Sequence, residues 1–144
     1  MSSPKTKDSI LVVDDSPDFL DQVSALLTDE GYEVDIATSA REALEKSEEK
    51  IYSVAIISLE LLDREGSSLL GRLENTDPRM RKVIVATHEA LKHTKQALDL
   101  GADSFLVRPV DPEELLETVR KQLAEREKEF KERYVLLEDS GENS

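Results

Sequence analysis

The sequence contains no cysteine and no tryptophan, and aromatic residues make up only 4% of it. Without cysteine, neither disulfides nor thiolate metal sites can form, and the redox compartment is left open. With so few rings, the core has to be built from Leu, Val, Ile and Ala. Positive charge is also short, with 19 Lys and Arg against 32 Asp and Glu, a formal net charge of -13. That balance repels phosphate backbones and anionic lipid headgroups, so nucleic-acid and membrane binding by this chain alone are not expected. Nowhere do about 18 apolar residues run together, and the polar opening Met-Ser-Ser-Pro-Lys-Thr-Lys-Asp lacks the apolar centre of a secretory signal. A cytoplasmic location is the expectation. Internal repeats and low-complexity tracts are missing too, and 144 residues suit one domain of common size.

What the chain does have is a regular alternation of element types. Ser9-Ile10-Leu11-Val12-Val13 is a continuous apolar run, which reads as a strand buried on both faces. Ser16 then caps a helix with Pro17 in its first turn and an apolar stripe of Phe19, Val23, Leu26 and Leu27, ended by Gly31. Four more units follow. Glu33 to Ala37 is a strand, and Ser39 with Glu42 has the spacing of a capping box ahead of Ala40, Ala43 and Leu44. Val54-Ala55-Ile56-Ile57-Ser58 is a third strand, followed by a loop to Gly66 and a helix bearing Leu69, Leu70 and Leu73. A strand over residues 83–87 precedes a helix with Leu91, Thr94, Ala97 and Leu98, stopped by Gly101. Ser104-Phe105-Leu106-Val107 is the fifth strand, and Asp111-Pro112-Glu113-Glu114 opens the last helix. Strand-then-helix units of this kind require parallel strands with right-handed crossovers. The expectation is therefore a flavodoxin-like doubly wound α/β sheet in the order 2-1-3-4-5, with its functional groups at the strand ends Asp14, Asp15, Ser58, Thr87 and Arg108.

Paired acids at a strand end are a common way to hold a hard cation such as Mg²⁺, although acids in that place also serve simply to favour the next helix. The surrounding motifs are more specific. Val-Val-Asp14-Asp15-Ser, the segment from Tyr52 to Leu70, Val-Ala-Thr87 and Gly101-Ala102-Asp103-Ser104-Phe105-Leu-Val-Arg108-Pro109 resemble the receiver domain of bacterial response regulators, in order over most of the chain. The resemblance implies that Asp14 and Asp15 match a Mg²⁺-binding acid pair, Thr87 a hydroxyl that contacts the phosphoryl group, and Phe105 an aromatic that changes rotamer. It places Ser58 where the family has its phosphoaccepting aspartate, Leu62 where a proline is usual, His88 where a small residue is usual, and Arg108 where a lysine is usual, with Pro109 and Gly66 matching. A serine supplies neither the carboxylate nucleophile nor the third anionic metal ligand, so Mg²⁺ binding at Asp14 and Asp15 should be weak and no cofactor required. Arg108 is expected to bridge to Asp14 or Asp15. His88 and Arg108 are expected to block a site restored only at position 58, so that Ser58→Asp would also need His88→Ala and Arg108→Lys. Glu60, two residues past Ser58, is a disfavoured substitute acceptor because it is assigned to the loop.

The last helix continues past the usual end of such a domain. Leu115, Leu116, Val119 and Leu123 face the sheet, residues 124–133 are almost wholly charged, and Glu127 with Lys131 and Glu129 with Arg133 have i,i+4 spacing. Leu116, Leu123, Phe130 and Leu137 are seven apart, but Arg126 and Arg133 spoil a coiled-coil seam. The apolar tip of Phe130, Tyr134, Val135, Leu136 and Leu137 either folds back or meets a partner. The domain reading is a flexible start over residues 1–8, a receiver-like domain over 9–123, a charged helical extension over 124–137 and a disordered tail over 138–144. The function expected is that of a stand-alone, non-enzymatic signalling module acting through a histidine kinase, another regulator or a second copy. Docking would use the helix 4, strand 5, helix 5 face or the C-terminal helix. The alternatives are a phosphoacceptor that uses Ser58 or a nearby acid, and a small-molecule or metal sensor that uses a vacated pocket with Asp14, Asp15 and Arg108.

Overall fold

The computed structural model describes residues 8–65, 68–93 and 101–142. Five strands, β1 (Ser9–Val13), β2 (Glu33–Ala37), β3 (Val54–Ser58), β4 (Arg81–Ala86) and β5 (Ser104–Val107), form one parallel sheet in the order β2-β1-β3-β4-β5. This is the expected flavodoxin-like arrangement. Strand side chains alternate between two aliphatic cores because successive residues point to opposite faces. Leu11, Val13, Ala55, Ile57, Ile84 and Ala86 face one core, whereas Ile10, Val12, Val54, Ile56, Val83 and Val85 face the other. Leu20, Val23 and Leu27 of α1 (Pro17–Asp29) cover the second face together with Leu115, Leu116 and Val119 of the last helix, α5 (Pro112–Glu142). The first face is covered by α2 (Ala40–Glu49), α3 (Leu59–Glu65) and α4 (Ser68–Thr76).

Local chemistry accounts for the element boundaries. The Ser16 hydroxyl accepts the Phe19 amide N–H at 3.4 Å, and α1 ends ahead of Gly31, whose φ of 96° is a conformation that a Cβ disfavours. Ser39 accepts the Glu42 N–H at 3.1 Å, and the Glu42 carboxylate reaches back to the Thr38 N–H at 2.7 Å, one residue earlier than a standard capping box. Beneath β2 and β3, the buried Tyr52 hydroxyl donates to Asp35 Oδ2 at 2.7 Å, and Lys50 Nζ lies 3.1 Å from the same oxygen. The Tyr52 hydroxyl holds the Asp35 carboxyl below its ordinary range, against the opposing effect of burial and with help from Lys50. Tyr52→Phe is expected to destabilise the fold by about 1.5 kcal/mol at pH 7, since it removes a charge-assisted hydrogen bond. Because the folded pKa is depressed, this stabilisation is fully present above the unfolded carboxyl pKa of about 3.9 and fades as pH falls through the folded value. Urea titrations of both proteins at pH 7 and pH 3 would check this, and an equal penalty at both would contradict it.

Three expectations need correction. Strand β4 starts at Arg81 and ends at Ala86, so Thr87 opens the following turn. The loop expected after Ser58 is helix α3 instead. Its sequence has no proline or glycine to stop it, Ser58 accepts the Leu61 N–H at 3.3 Å as an N-cap, and Leu59, Leu61 and Leu62 are buried by the resulting turn. Lastly, α5 runs unbroken to Glu142, through residues expected to begin a disordered tail. It contains no proline after Pro112, and extending a formed helix costs little. The helix expected through Leu98 is described only as far as a 3₁₀ turn at Ala90–His93, and the rest of it, like most of the expected flexible start, lies outside the described residues.

The charged extension is tied to the base of the sheet. Arg81 Nε donates to Gln122 Oε1 at 2.9 Å and Arg81 Nη1 lies 3.4 Å from Glu129 Oε1. Arg126 Nε donates to the Arg79 carbonyl at 3.1 Å, and the Arg79 guanidinium sits 4.9 Å from the centre of the Phe130 ring. Glu127 and Lys131 pair as their spacing suggested, at 3.9 Å, whereas Glu129 turns to Arg81. As far as Phe130 the extension therefore packs back on its own domain, although the Phe130 ring stays 47% exposed.

Candidate functional site

Parallel strands bring their carboxyl ends to one edge of the sheet, and there Asp14, Ser58, Thr87 and Arg108 converge from β1, β3, β4 and β5. Asp14 is buried, its Oδ1 accepts the Asp15 N–H at 2.9 Å, and its Oδ2 lies 3.3 Å from Arg108 Nη2. The expected Arg108 bridge thus goes to Asp14, while Asp15 is exposed. Arg108 is further held by the Phe19 ring, 4.6 Å from the guanidinium carbon, and by its own N–H to the Ala86 carbonyl at 2.8 Å. Its peptide bond to the exposed Pro109 is cis. Phe105 is partly buried against the same core as Ala90 and Ile84.

The side chain that fills the space between these groups is one that sequence reasoning had assigned to a loop. Glu60, in the first turn of α3, places Oε1 at 3.2 Å from the Ser58 hydroxyl and 3.6 Å from Arg108 Nε. Its Oε2 accepts the Thr87 N–H at 3.1 Å. Burial pushes the Glu60 carboxyl up, but the Thr87 amide and the Arg108 guanidinium outweigh it and keep the carboxyl below its ordinary range. Thr87 Oγ1 in turn accepts the Ala90 N–H at 3.2 Å, which starts the 3₁₀ turn. His88, expected to obstruct the site, is exposed on that turn. The only advance sign of Glu60's role is Leu62. Without a proline there, the chain can turn helical straight after β3, and that turn swings position 60 over the strand ends.

This arrangement does not suit a hard divalent cation. One oxygen of Asp14 already faces a guanidinium, Ser58 adds no charge, and among the described residues no group of three or more His, Asp or Glu is placed to hold a metal ion. Between the strand ends, the Glu60 carboxylate stands among Ser58, Thr87 and Arg108. Beside the site, a groove of about 520 Å³ runs between α1 and the β5–α5 connection, lined by Phe19, Val23, Leu26, Val110 and Leu115 with Arg108 at its rim.

The sheet order is that of a known family. The family model of the response regulator receiver domain fits residues 10–120. The chain belongs to that family. It is 32% identical over 88% of its length to the alginate biosynthesis transcriptional regulatory protein AlgB of Pseudomonas putida, of which it covers 28%. A CheY-like receiver domain protein from Methanospirillum hungatei matches it with 38% identity and a TM-score of 0.80, over 86% of this chain and 99% of that one. The beryllofluoride-activated NtrC4 receiver domain, solved in solution as a dimer, matches with 28% identity and a TM-score of 0.75, over 82% of this chain and 98% of that one. This is thus a two-component receiver domain with a CheY-like fold, and no helix among its described residues is long and apolar enough to cross a membrane.

Proposed function

We propose that this receiver acts as a module in its own right, signalling through protein contacts without accepting a phosphoryl group. The observation that carries this reading is the Glu60 carboxylate seated between Ser58, Thr87 and Arg108. A phosphoryl donor is itself anionic and would have to displace that carboxylate from three donors before reaching position 58. Ser58 is meanwhile engaged as the α3 cap, with its hydroxyl directed at Glu60. The reading as a small-molecule or metal sensor is less favoured, because the Glu60 carboxylate already takes the Ser58, Thr87 and Arg108 donors that such a ligand would use. The partner is a protein: a histidine kinase, another regulator or a second copy, meeting the β5–α5 side. AlgB carries the transcriptional-regulator name, so a partner domain on a longer chain is compatible with the same mode of action.

Incubation with acetyl phosphate in Mg²⁺ buffer, followed by intact mass, is expected to show no adduct. A stoichiometric adduct would overturn the proposal, with hydroxylamine lability pointing to an acid such as Glu60 and acid stability pointing to Ser58.

A further inference from the structure

We infer that Glu60 is a resident oxyanion, an internal ligand that ties the ends of β3, β4 and β5 together and holds the Thr87 turn in one position without chemical input. This deepens the proposed function, since it supplies a reason why a receiver with serine at position 58 needs no phosphoryl group to hold its signalling surface.

The donors form a built seat. A hydroxyl at the end of β3, a main-chain N–H just past β4 and a guanidinium just past β5 converge on a single carboxylate. They come from segments far apart in sequence, so their meeting point is a product of the sheet. The guanidinium is fixed from two other sides, by Asp14 and by the Phe19 ring, so it does not swing away to solvent. The carboxylate is delivered by a helix whose first turn is capped by Ser58 and buried through Leu59, Leu61 and Leu62. Both halves of the contact are thereby preorganised, which lowers the entropy cost of holding it.

The contact also reaches further. Thr87 offers its N–H to Glu60 and its hydroxyl oxygen to the Ala90 N–H, and Ala90 packs in the core group that holds Phe105. Withdrawing the carboxylate therefore frees Thr87 at one end of a short chain of contacts leading to β5. An empty seat would retain its donors and would take a small oxyanion of carboxylate or phosphate type, since such donors favour charged acceptors.

The test uses the full chain labelled with ¹⁵N, in three forms: wild type, Glu60→Gln and Glu60→Ala. Glu60→Gln keeps length and helix preference but removes the charge, so it remains informative if the alanine protein folds poorly. Both substitutions are expected to shift the Thr87 amide and Arg108 Nε–H resonances and those around Phe105. Adding sodium formate to Glu60→Ala at high millimolar concentration should return these signals toward their wild-type positions, while sodium chloride at equal ionic strength should not. The wild type should not respond to formate. Unchanged Thr87 and Phe105 signals in both variants would overturn the inference. So would a perturbation that formate fails to reverse, because Glu60 would then act through the stability of α3. Either failure would stand apart from the acetyl phosphate result, which tests only whether a phosphoryl group is accepted.

Discussion

Ser58→Asp alone is expected to leave the protein without a phosphoryl adduct, whereas Ser58→Asp with Glu60→Ala and Arg108→Lys is expected to give close to one per chain under the same acetyl phosphate treatment. The position 58 hydroxyl lies 3.2 Å from Glu60 Oε1, so an aspartate there would set two carboxylates against each other. At about 4 Å and an effective dielectric constant near 20, that repulsion is on the order of 4 kcal/mol. The single variant would respond by recruiting Arg108 to its new carboxylate, which ties up the nucleophile, or by raising one carboxyl pKa. Removing Glu60 clears the seat, and a lysine at 108 keeps the positive charge without the planar fork that now bridges Asp14 and Glu60. The change at His88, a sensible choice from sequence, is unnecessary because that residue is exposed. Full phosphorylation of Ser58→Asp by itself would show that Glu60 is easily displaced and would sink this account.

A second large effect is expected far from the site. Lys82 is 1% exposed, and its ammonium lies 2.7 Å from Glu74 Oε1 and 2.9 Å from the Met80 carbonyl. Glu74→Ala would leave a buried cation with one neutral acceptor, and removing one partner of a buried pair costs about 3 to 5 kcal/mol. Glu74 is itself half-exposed, so water can reach part of the gap and the lower end of that range, about 3 kcal/mol, is the better figure. For a domain of this size the melting temperature should fall by roughly 6 to 12 °C. Lys82→Met, similar in length and uncharged, should cost about 1 kcal/mol or less, and Glu74→Ala added to it should cost little more. Thermal unfolding of the four proteins completes the cycle. If Lys82→Met proves as damaging as Glu74→Ala, the ion pair stabilises the fold in its own right and the desolvation argument fails.

Lys82 shows why part of the architecture was hidden in the sequence. A strand reading by apolar run begins at Val83, because a lysine ahead of it looks like the solvated end of the segment. Only the packing of α4 against β4 supplies the carboxylate that lets that lysine be buried. The extension of α5 is similar. Its charges read as a solvated face, yet Arg79 and Arg81 lie beneath it and bind Gln122, Glu129 and Phe130.

The sequence by itself determined the five strands, most of them apolar runs, the caps at Ser16 and Ser39, the stop at Gly31, the parallel order that follows from strand-helix alternation, and the acid, hydroxyl and arginine at the strand ends. These are local properties: burial on both faces demands a continuous apolar run, and a cap or a positive φ demands a particular residue within a turn. Tertiary structure alone decided what the strand-end residues do to one another. The replacement of a proline by Leu62 was visible, but its consequence was not, since a missing helix breaker permits α3 without requiring it. Where the Glu60 side chain goes depends on Ser58, Thr87 and Arg108 meeting at one point, and that meeting is made by the pairing of β3 with β4 and β4 with β5, which brings together residues up to 50 apart in the chain. No window of sequence contains such a contact, because its energy comes from groups that only the assembled sheet brings within hydrogen-bonding distance.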